Sequence, residues 1–362
     1  MIIIEPFPTI FIVPTGIGCS IGGFAGDAIP AARLMAAASG CLITHPNVMN
    51  GASLYWPDNR ILYVEGFSLD SFAAGCLYLR PVRSQNIGLL LDKGINKELK
   101  ERHLQVADAC RASLGLRIGP VVTTDVALNI SFNSSESGTS WGLLDQPSAL
   151  LNSAKKLKDA GATAIAVVTN FPELQNTQSL EHYRKGDGVD VLGGAEAVIS
   201  HLIVKNLSLP CAHSPALSLL PIDYNLDPRA AAEELGYTFL SSVLVGLSKA
   251  PDIIYNKKNL NAKNVISIDD IGALVLPRSA IGGEVFLACI DSNISIIMVD
   301  NTSAINVTCE NMGINISEFS GQPNKFIFAS SYIEAAGYLS LLREGLSAES
   351  LQRPLSKIDR FT

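Results

Sequence analysis

Two histidine-bearing segments hold the residues best suited to moving protons. In CLITHPNVMNGASLYW (Cys41–Trp56), His45, Asn47 and Asn50 follow a short apolar run, with Gly51 allowing a sharp turn and Tyr55 and Trp56 able to wall a pocket. Imidazole titrates near neutrality and serves as acid or base, and an Asn amide can orient a carbonyl or carboxylate. The local alternative is that His45 bonds its own loop and the asparagines form Asx turns. In LPCAHSPALSLLP, Cys211, His213 and Ser214 lie together. Nucleophile and base usually come from distant parts of a chain, so this closeness does not make a dyad. His213 is the acid/base candidate, and Cys211 reads as buried structure.

Three glycine pairs supply a second kind of chemistry. Gly22-Gly23 lies in PTGIGCSIGGFAGDA (Pro14–Ala28), behind Gly16 and Gly18; the others are Gly193-Gly194 and Gly282-Gly283. Each opens an expected helix, and the strand after that helix closes on a polar residue: His45, His213, then Asp300-Asn301. Glycines ahead of a helix leave N–H groups free at the positive end of its dipole, where an anionic group can sit. The first pair is no P-loop, because no Gly-Lys-Ser/Thr follows, and the third glycine of a dinucleotide fingerprint is displaced. An acid closely follows each pair: Asp27, Glu196 or Glu284. These complement a helix dipole, and they would repel a polyphosphate while suiting a hydroxyl, an ammonium or general-base work.

The expected catalytic set is therefore His45, His213, Asp27 and Glu196. The expected substrate-binding set is Gly16, Gly18, Gly22, Gly23, Asn47, Asn50, Lys185, Gly193, Gly194, Arg278, Gly282, Gly283, Asp300 and Asn301, with Lys185 and Arg278 supplying positive charge. The charged run Tyr183–Ala197, with Arg184, Asp187 and Asp190, reads as a lid or as an ordinary exposed loop. His103 shares a helical stripe with Leu99, Val106, Cys110 and Leu114 and reads as a half-buried helix residue; His201 is similar, and His182 reads as exposed. No spacing of metal ligands is present, so no metal is expected, and no motif identifies a cofactor.

The elements that must carry these residues alternate. Apolar strands are expected at Ile10–Val13, Cys41–Thr44, Ile87–Leu91, Val121–Thr124, Ala164–Val168, near Pro210–Ala212, and at Ile253–Tyr255, Ala273–Leu276, Ile294–Val299 and Lys325–Ala329. Helical stretches separate them, including Pro147–Ala160 with Leu150, Ala154 and Leu157 on one face. This alternation predicts an α/β fold of two Rossmann-like lobes, with mainly parallel sheets, crossover helices and a cleft between the lobes. The Ser- and Gly-rich run Phe132–Gly142 suggests lobes of 1–140 and 141–362, the second subdivided near 256–264.

A chain of 362 residues with 48% hydrophobic and 17% charged residues buries much surface, and a homo-oligomer is a further expectation. Net charge −7 without a basic run argues against nucleic acid as a partner. Seven scattered cysteines form no disulfide framework, the N-terminal run lacks a basic leader, and no apolar run reaches membrane-spanning length. Together these predict a cytoplasmic protein without a membrane partner.

The runs PTGIGCSIGGFAGDAIPAARLMAAASGCLITHPNVMNGASLYW and GVDVLGGAEAVISHLIVKNLSLPCAHSPAL resemble, nearly end to end, a family from oxygenic phototrophs known as a domain of unknown function. That resemblance implies a distribution but no activity. GIG before an alanine-rich helix and LGGAEA before a helix and strand are similar to segments of nicotinate-nucleotide:dimethylbenzimidazole phosphoribosyltransferases; carried over, Gly193, Gly194 and Glu196 would belong to a phosphoribosyl pocket. The separation of the two segments differs, and that family's catalytic glutamate has no counterpart here. The leading expectation is an enzyme acting on a small carboxylated or phosphorylated metabolite by His-based acid/base chemistry, of the isomerase, lyase or transferase kind. The alternatives are a phosphoribosyltransferase-like enzyme using a nicotinate-type mononucleotide, and a non-catalytic metabolite-binding or scaffold protein.

Overall fold

The computed structural model describes residues 5–14, 17–51, 58–134, 140–171, 178–186, 190, 192–218, 222–233, 239–255, 265–303, 305–319, 321–322, 324–355 and 357–358. The expected loop at 256–264, Gly16, Tyr55, Trp56 and Asp187 lie outside the described residues.

In chain order the elements begin with β1 (Thr9–Phe11), α1 (Ile29–Ser39), β2 (Leu42–Thr44), α2 (Pro46–Met49), β3 (Ile61–Tyr63) and α3 (Gly66–Ala73). A middle section holds β4 (Tyr78–Arg80), β5 (Ile87–Leu91), α4 (Lys97–Leu114), β6 (Ile118–Thr123), β7 (Ile130–Ser134), β8 (Ser140–Leu144), α5 (Pro147–Asp159), β9 (Ala164–Asn170), α6 (Gln178–Arg184), α7 (Gly193–Leu207), β10 (Cys211–Ala216), α8 (Pro228–Glu233), α9 (Leu240–Leu247) and β11 (Asp252–Ile254). The last section is β12 (Ala273–Pro277), α10 (Glu284–Ile290), β13 (Ser295–Val299), β14 (Phe326–Ala329) and α11 (Tyr332–Glu344).

Six strands form one parallel sheet in the order β14-β13-β12-β1-β2-β3. This is the doubly wound 3-2-1-4-5-6 order of Rossmann folds, with β12–β14 as its second half. Winding reverses between β1 and β12, where Thr9 pairs with Ala273 and Phe11 with Val275. A second parallel sheet, β10-β9-β5-β6, is built wholly from the middle section and reverses between β5 and β9. Each sheet draws strands from both sides of residue 140, so neither is the product of 1–140 or 141–362 alone.

Strands such as β5, IGLLL, and β12, ALVLP, are buried at every position, as parallel strands covered by helices on both faces must be. Helix ends follow their local chemistry. Asn96 caps α4 by accepting the Leu99 N–H, and α1 starts with Pro30 in its first turn and stops at Gly40 in the left-handed region. The two sheets share one core, in which Phe11, Met35 and Leu42 join Leu89 and Val168, with Leu240, Val243, Leu244 and Leu247 of α9 buried in the same cluster.

Three expectations need correction. The polar run Phe132–Gly142 carries the ends of an antiparallel hairpin, β7–β8, in place of an open linker. The segment near Ile253 pairs antiparallel with β4 in a separate two-stranded ribbon, outside the parallel sheets. His213 and Ser214 lie inside β10, with His213 opposite Val167, where a turn after the strand was expected. Pro215 interrupts no ladder because β10 is an edge strand.

Candidate functional site

The carboxyl ends of the two sheets face a common cavity of about 480 Å³. β1 contributes the following Ile12 and Val13, β2 leads to His45, Asn47 and Asn50, and β3 leads to Glu65. β12 leads to Ala280 and Gly283. From the second sheet come Asn170 and Phe171 at the end of β9 and Ala212, His213, Pro215 and Ala216 on β10. Strand ends at a winding reversal are the usual ligand crevice of an open α/β sheet, and this volume suits a small molecule.

His45 and His213 therefore line one cavity, and their surroundings divide their roles. His45 Nε2 accepts the Val13 N–H at 3.4 Å. Its ring touches the cavity but sits deep among protein atoms, and burial lowers its pKa to about 4, so the neutral imidazole prevails. His213 is only 5% exposed. Its Nε2 is hydrogen-bonded to the buried Thr169 hydroxyl, and its ring meets Phe171 edge-on at 5.1 Å. Its Nδ1 lies 3.4 Å from Glu196 Oε1, an approach without hydrogen-bond alignment that leaves Nδ1 with no bonded partner. Thr169 thus holds the ring while the other nitrogen faces a carboxylate on α7.

Around this pair the cavity is acidic. Among the described lining residues are five carboxyls, Glu65, Asp70, Asp190, Glu196 and Glu233, against the single guanidinium of Arg184. Glu233 Oε1 accepts from the Tyr183 hydroxyl and the Ala25 N–H. Burial, then repulsion from Asp190, raises the Glu233 pKa well above the usual range; burial, then Glu196, carries Asp190 to about 7. Glu65 caps α3 by accepting the Ser68 N–H and takes a hydrogen bond from His201 Nε2 at 2.9 Å. Burial opposes a charge on His201, but the Glu65 hydrogen bond and charge outweigh it and raise its pKa. Asp70 nearby is pushed up to about 6, chiefly by burial. Among the described residues no three His, Cys, Asp or Glu side chains are arranged to hold a metal ion.

Of the residues expected from sequence, the structure brings together His45, Asn47, Asn50, Gly193, Glu196, His213 and Gly283 on this cavity. The first glycine turn is folded on itself. Gly22, at φ +104°, packs where a Cβ would come within 2.4 Å of Val13 Cβ, and its N–H is donated to Asp27 Oδ1 at 2.7 Å. Burial raises the Asp27 pKa to about 6, against the pull of that hydrogen bond. Asn301 buttresses the same loop, accepting the Ile21 N–H and donating to Ile21 O and the Tyr332 hydroxyl. Arg278 and Asp300 form an ion pair at 3.2 Å on a separate surface depression, and Lys185 is exposed. Gly18, Gly23, Gly194 and Gly282 are not among the lining residues. His103 bonds the Leu99 carbonyl one turn back in its own helix and is buried, where a half-buried position was expected.

Glu65, Asp70, Tyr183, His201 and Glu233 were not anticipated as site residues. Glu65 obeys the strand-end rule that singled out His45, but its strand β3 was not among those expected from sequence. Glu233 follows an alanine run on α8, and only the fold carries it to the cavity.

Fold and cavity together define a two-lobed, Rossmann-like α/β protein with a ligand-sized cavity where its sheets converge. The chain belongs to the DUF3326 family, proteins of unknown function, whose family model matches residues 8–352. It is 46% identical over 344 residues to a protein named an uncharacterised lipoprotein in the cyanobacterium Synechococcus sp., covering 95% of this chain and 92% of that one. The resemblance to a family of oxygenic phototrophs is thereby met. A shorter match, 28% identical over 129 residues, is to an adenine phosphoribosyltransferase of Pelagibacter ubique and covers 36% of this chain and 71% of that enzyme. Among the described residues no helix is long and apolar enough to cross a membrane.

Proposed function

We propose that this protein is an enzyme that moves a proton on a small molecule enclosed between its two sheets. In this reading His213 and Glu196 are the acid/base pair, Thr169 positions the imidazole, and neutral His45 with Asn47 and Asn50 orients the substrate. The observation that carries it is the convergence of His45 and His213, from different sheets, on one cavity where a buried imidazole nitrogen faces a carboxylate. A His–carboxylate pair in a cleft is a common source of general acid/base chemistry. His45, with a pKa of about 4, is a weak base and serves better as a neutral hydrogen-bonding group.

Anion binding by the glycine turns has less support than the acid/base pair. The Gly22 amide is engaged by Asp27 and the Gly193 amide by Asp190, and the cavity is rich in carboxyls. All seven cysteines are free, which suits the reducing cytoplasm this reading assigns.

The test is turnover of a metabolite extract followed by mass spectrometry. The wild type is expected to deplete a discrete metabolite, and His213→Ala to slow that depletion by about 10²–10⁴-fold. Wild-type turnover by both His213→Ala and His45→Ala, with intact melting curves, would overturn the reading.

A second reading, phosphoribosyl transfer, is favoured by the partial likeness to an adenine phosphoribosyltransferase. It predicts a rise in melting temperature with nicotinate mononucleotide or with adenine plus a phosphoribosyl donor. The scarcity of basic residues among the described cavity lining argues against a polyphosphate there.

A further inference from the structure

We propose that the group this cavity receives is a protonated amine on a compact apolar body, seated between Glu196, Glu233 and Nδ1 of His213. The inference rests on the reading above only in taking this cavity as the substrate site.

Three features of the lining lead there. Asp190, Glu196 and Glu233 lie within electrostatic reach of one another on three different segments, α7, α8 and the loop before α7. Like-charged groups buried together are costly unless a cation joins them. Burial and mutual repulsion push Asp190 and Glu233 toward their neutral forms, and an ammonium beside them would relieve both effects.

His213 gives the independent pointer. Its side chain is almost fully enclosed in the cavity wall, its Nε2 is committed to Thr169, and its Nδ1, beside Glu196, has no bonded partner. The 3.4 Å contact between Nδ1 and Glu196 Oε1 is not an aligned hydrogen bond, so neither atom is committed to the other. In the tautomer that donates Nε2–H to the Thr169 hydroxyl, Nδ1 is an acceptor. A primary ammonium has three donors, which match Glu196, Glu233 and this nitrogen. A carboxylate or phosphate placed there would meet the Glu196 carboxyl and an imidazole lone pair.

Apolar side chains line much of the remaining wall. Val13, Leu99, Phe171, Leu192, Phe239 and Phe286 line the same cavity and would cover a hydrocarbon or aromatic body. Such a site selects by charge at one end and by size at the other.

The experiment uses the full chain and three probes of nearly equal shape: benzylamine, benzyl alcohol and benzoate. Binding is measured by ligand-observed NMR and titration calorimetry. Benzylamine is expected to bind at least about tenfold more tightly than benzyl alcohol, with benzoate weakest. Glu196→Gln and Glu233→Gln should each weaken benzylamine by about tenfold while melting curves stay cooperative. Equal or tighter binding of benzyl alcohol or benzoate overturns the proposal, as does unchanged benzylamine affinity in both variants or failure of all three probes to bind. The two readings fail separately. Loss of turnover in His213→Ala without amine selectivity removes only the amine. Amine selectivity with turnover intact in both histidine variants removes only the acid/base role.

Discussion

Asp27, Asp190 and Glu233 hold protons at pH values where a solvated carboxyl has lost them, and this has a consequence for stability. An acid whose pKa rises on folding binds more protons folded than unfolded between the two values, so stability falls as pH rises through that window. For Asp27 the window runs from 3.8 to about 6, and for Asp190 from 3.8 to about 7. Glu233 begins at 4.5 and extends well upward. His45, lowered from 6.5 to about 4, acts in the opposite sense between those values. Replacing Glu233 by Gln removes one acid while keeping an oxygen to accept from Tyr183 and Ala25. Glu233→Gln should raise the melting temperature at pH 8 by a few degrees, about 1–2 kcal/mol, and change it much less at pH 5. Thermal melts by circular dichroism at both pH values decide this, and equal destabilisation at both would show that repulsion is absent. At this scale a strand end and a helix start made His45 and Glu196 visible in the sequence, whereas His213 was singled out as a turn residue and lies within β10. The sequence could not reveal that Asp27 and Asp190 occupy glycine-turn amides, since that depends on how each loop closes.

The elements that place the histidines meet at α9, which is buried in the core shared by the two sheets. Gly246 on α9 lies against the Tyr63 ring at the end of β3, so closely that a Cβ would come within 2.5 Å of Tyr63 Cε2. The Tyr63 hydroxyl donates to Asn50 Oδ1 at 2.9 Å, linking this joint to the cavity wall. Gly246→Ala should therefore displace the ring, cost about 1–3 kcal/mol and disturb Asn50. Urea denaturation together with benzylamine affinity tests this, and a variant unchanged in both would show that the joint has slack. Strands such as β5, β12 and β13 were readable because buried parallel strands are continuous apolar runs. β3 and β4 were not. The hairpin β7–β8 was hidden by its polar composition, which resembles a linker until its ladder from Ile130–Leu144 to Ser134–Ser140 is seen.

Pairing across the whole chain is the level least visible in sequence. β1 belongs beside β12 and β5 beside β9, and no local pattern announces a partner so far away. The helix-and-strand alternation was enough to predict two parallel-sheet lobes, but a seam near residue 140 follows composition, whereas the sheets follow hydrogen bonds. The middle section builds its own sheet between the two halves of the Rossmann-like one, and the cavity forms only where both sets of carboxyl ends face each other. Residues 1–140 alone would retain β1-β2-β3 and β5-β6 but expose the edges of β1 and β5, each of which is buried against a neighbour in the intact protein. An unpaired, fully apolar edge strand favours aggregation over folding. Fragments 1–140 and 141–362, expressed separately, should lack dispersed NMR spectra and cooperative melting, while the intact chain melts cooperatively. Either fragment giving a dispersed amide spectrum and a sharp transition would show that half of the chain folds without its strand partners, and that the cavity is a docking seam between two autonomous lobes.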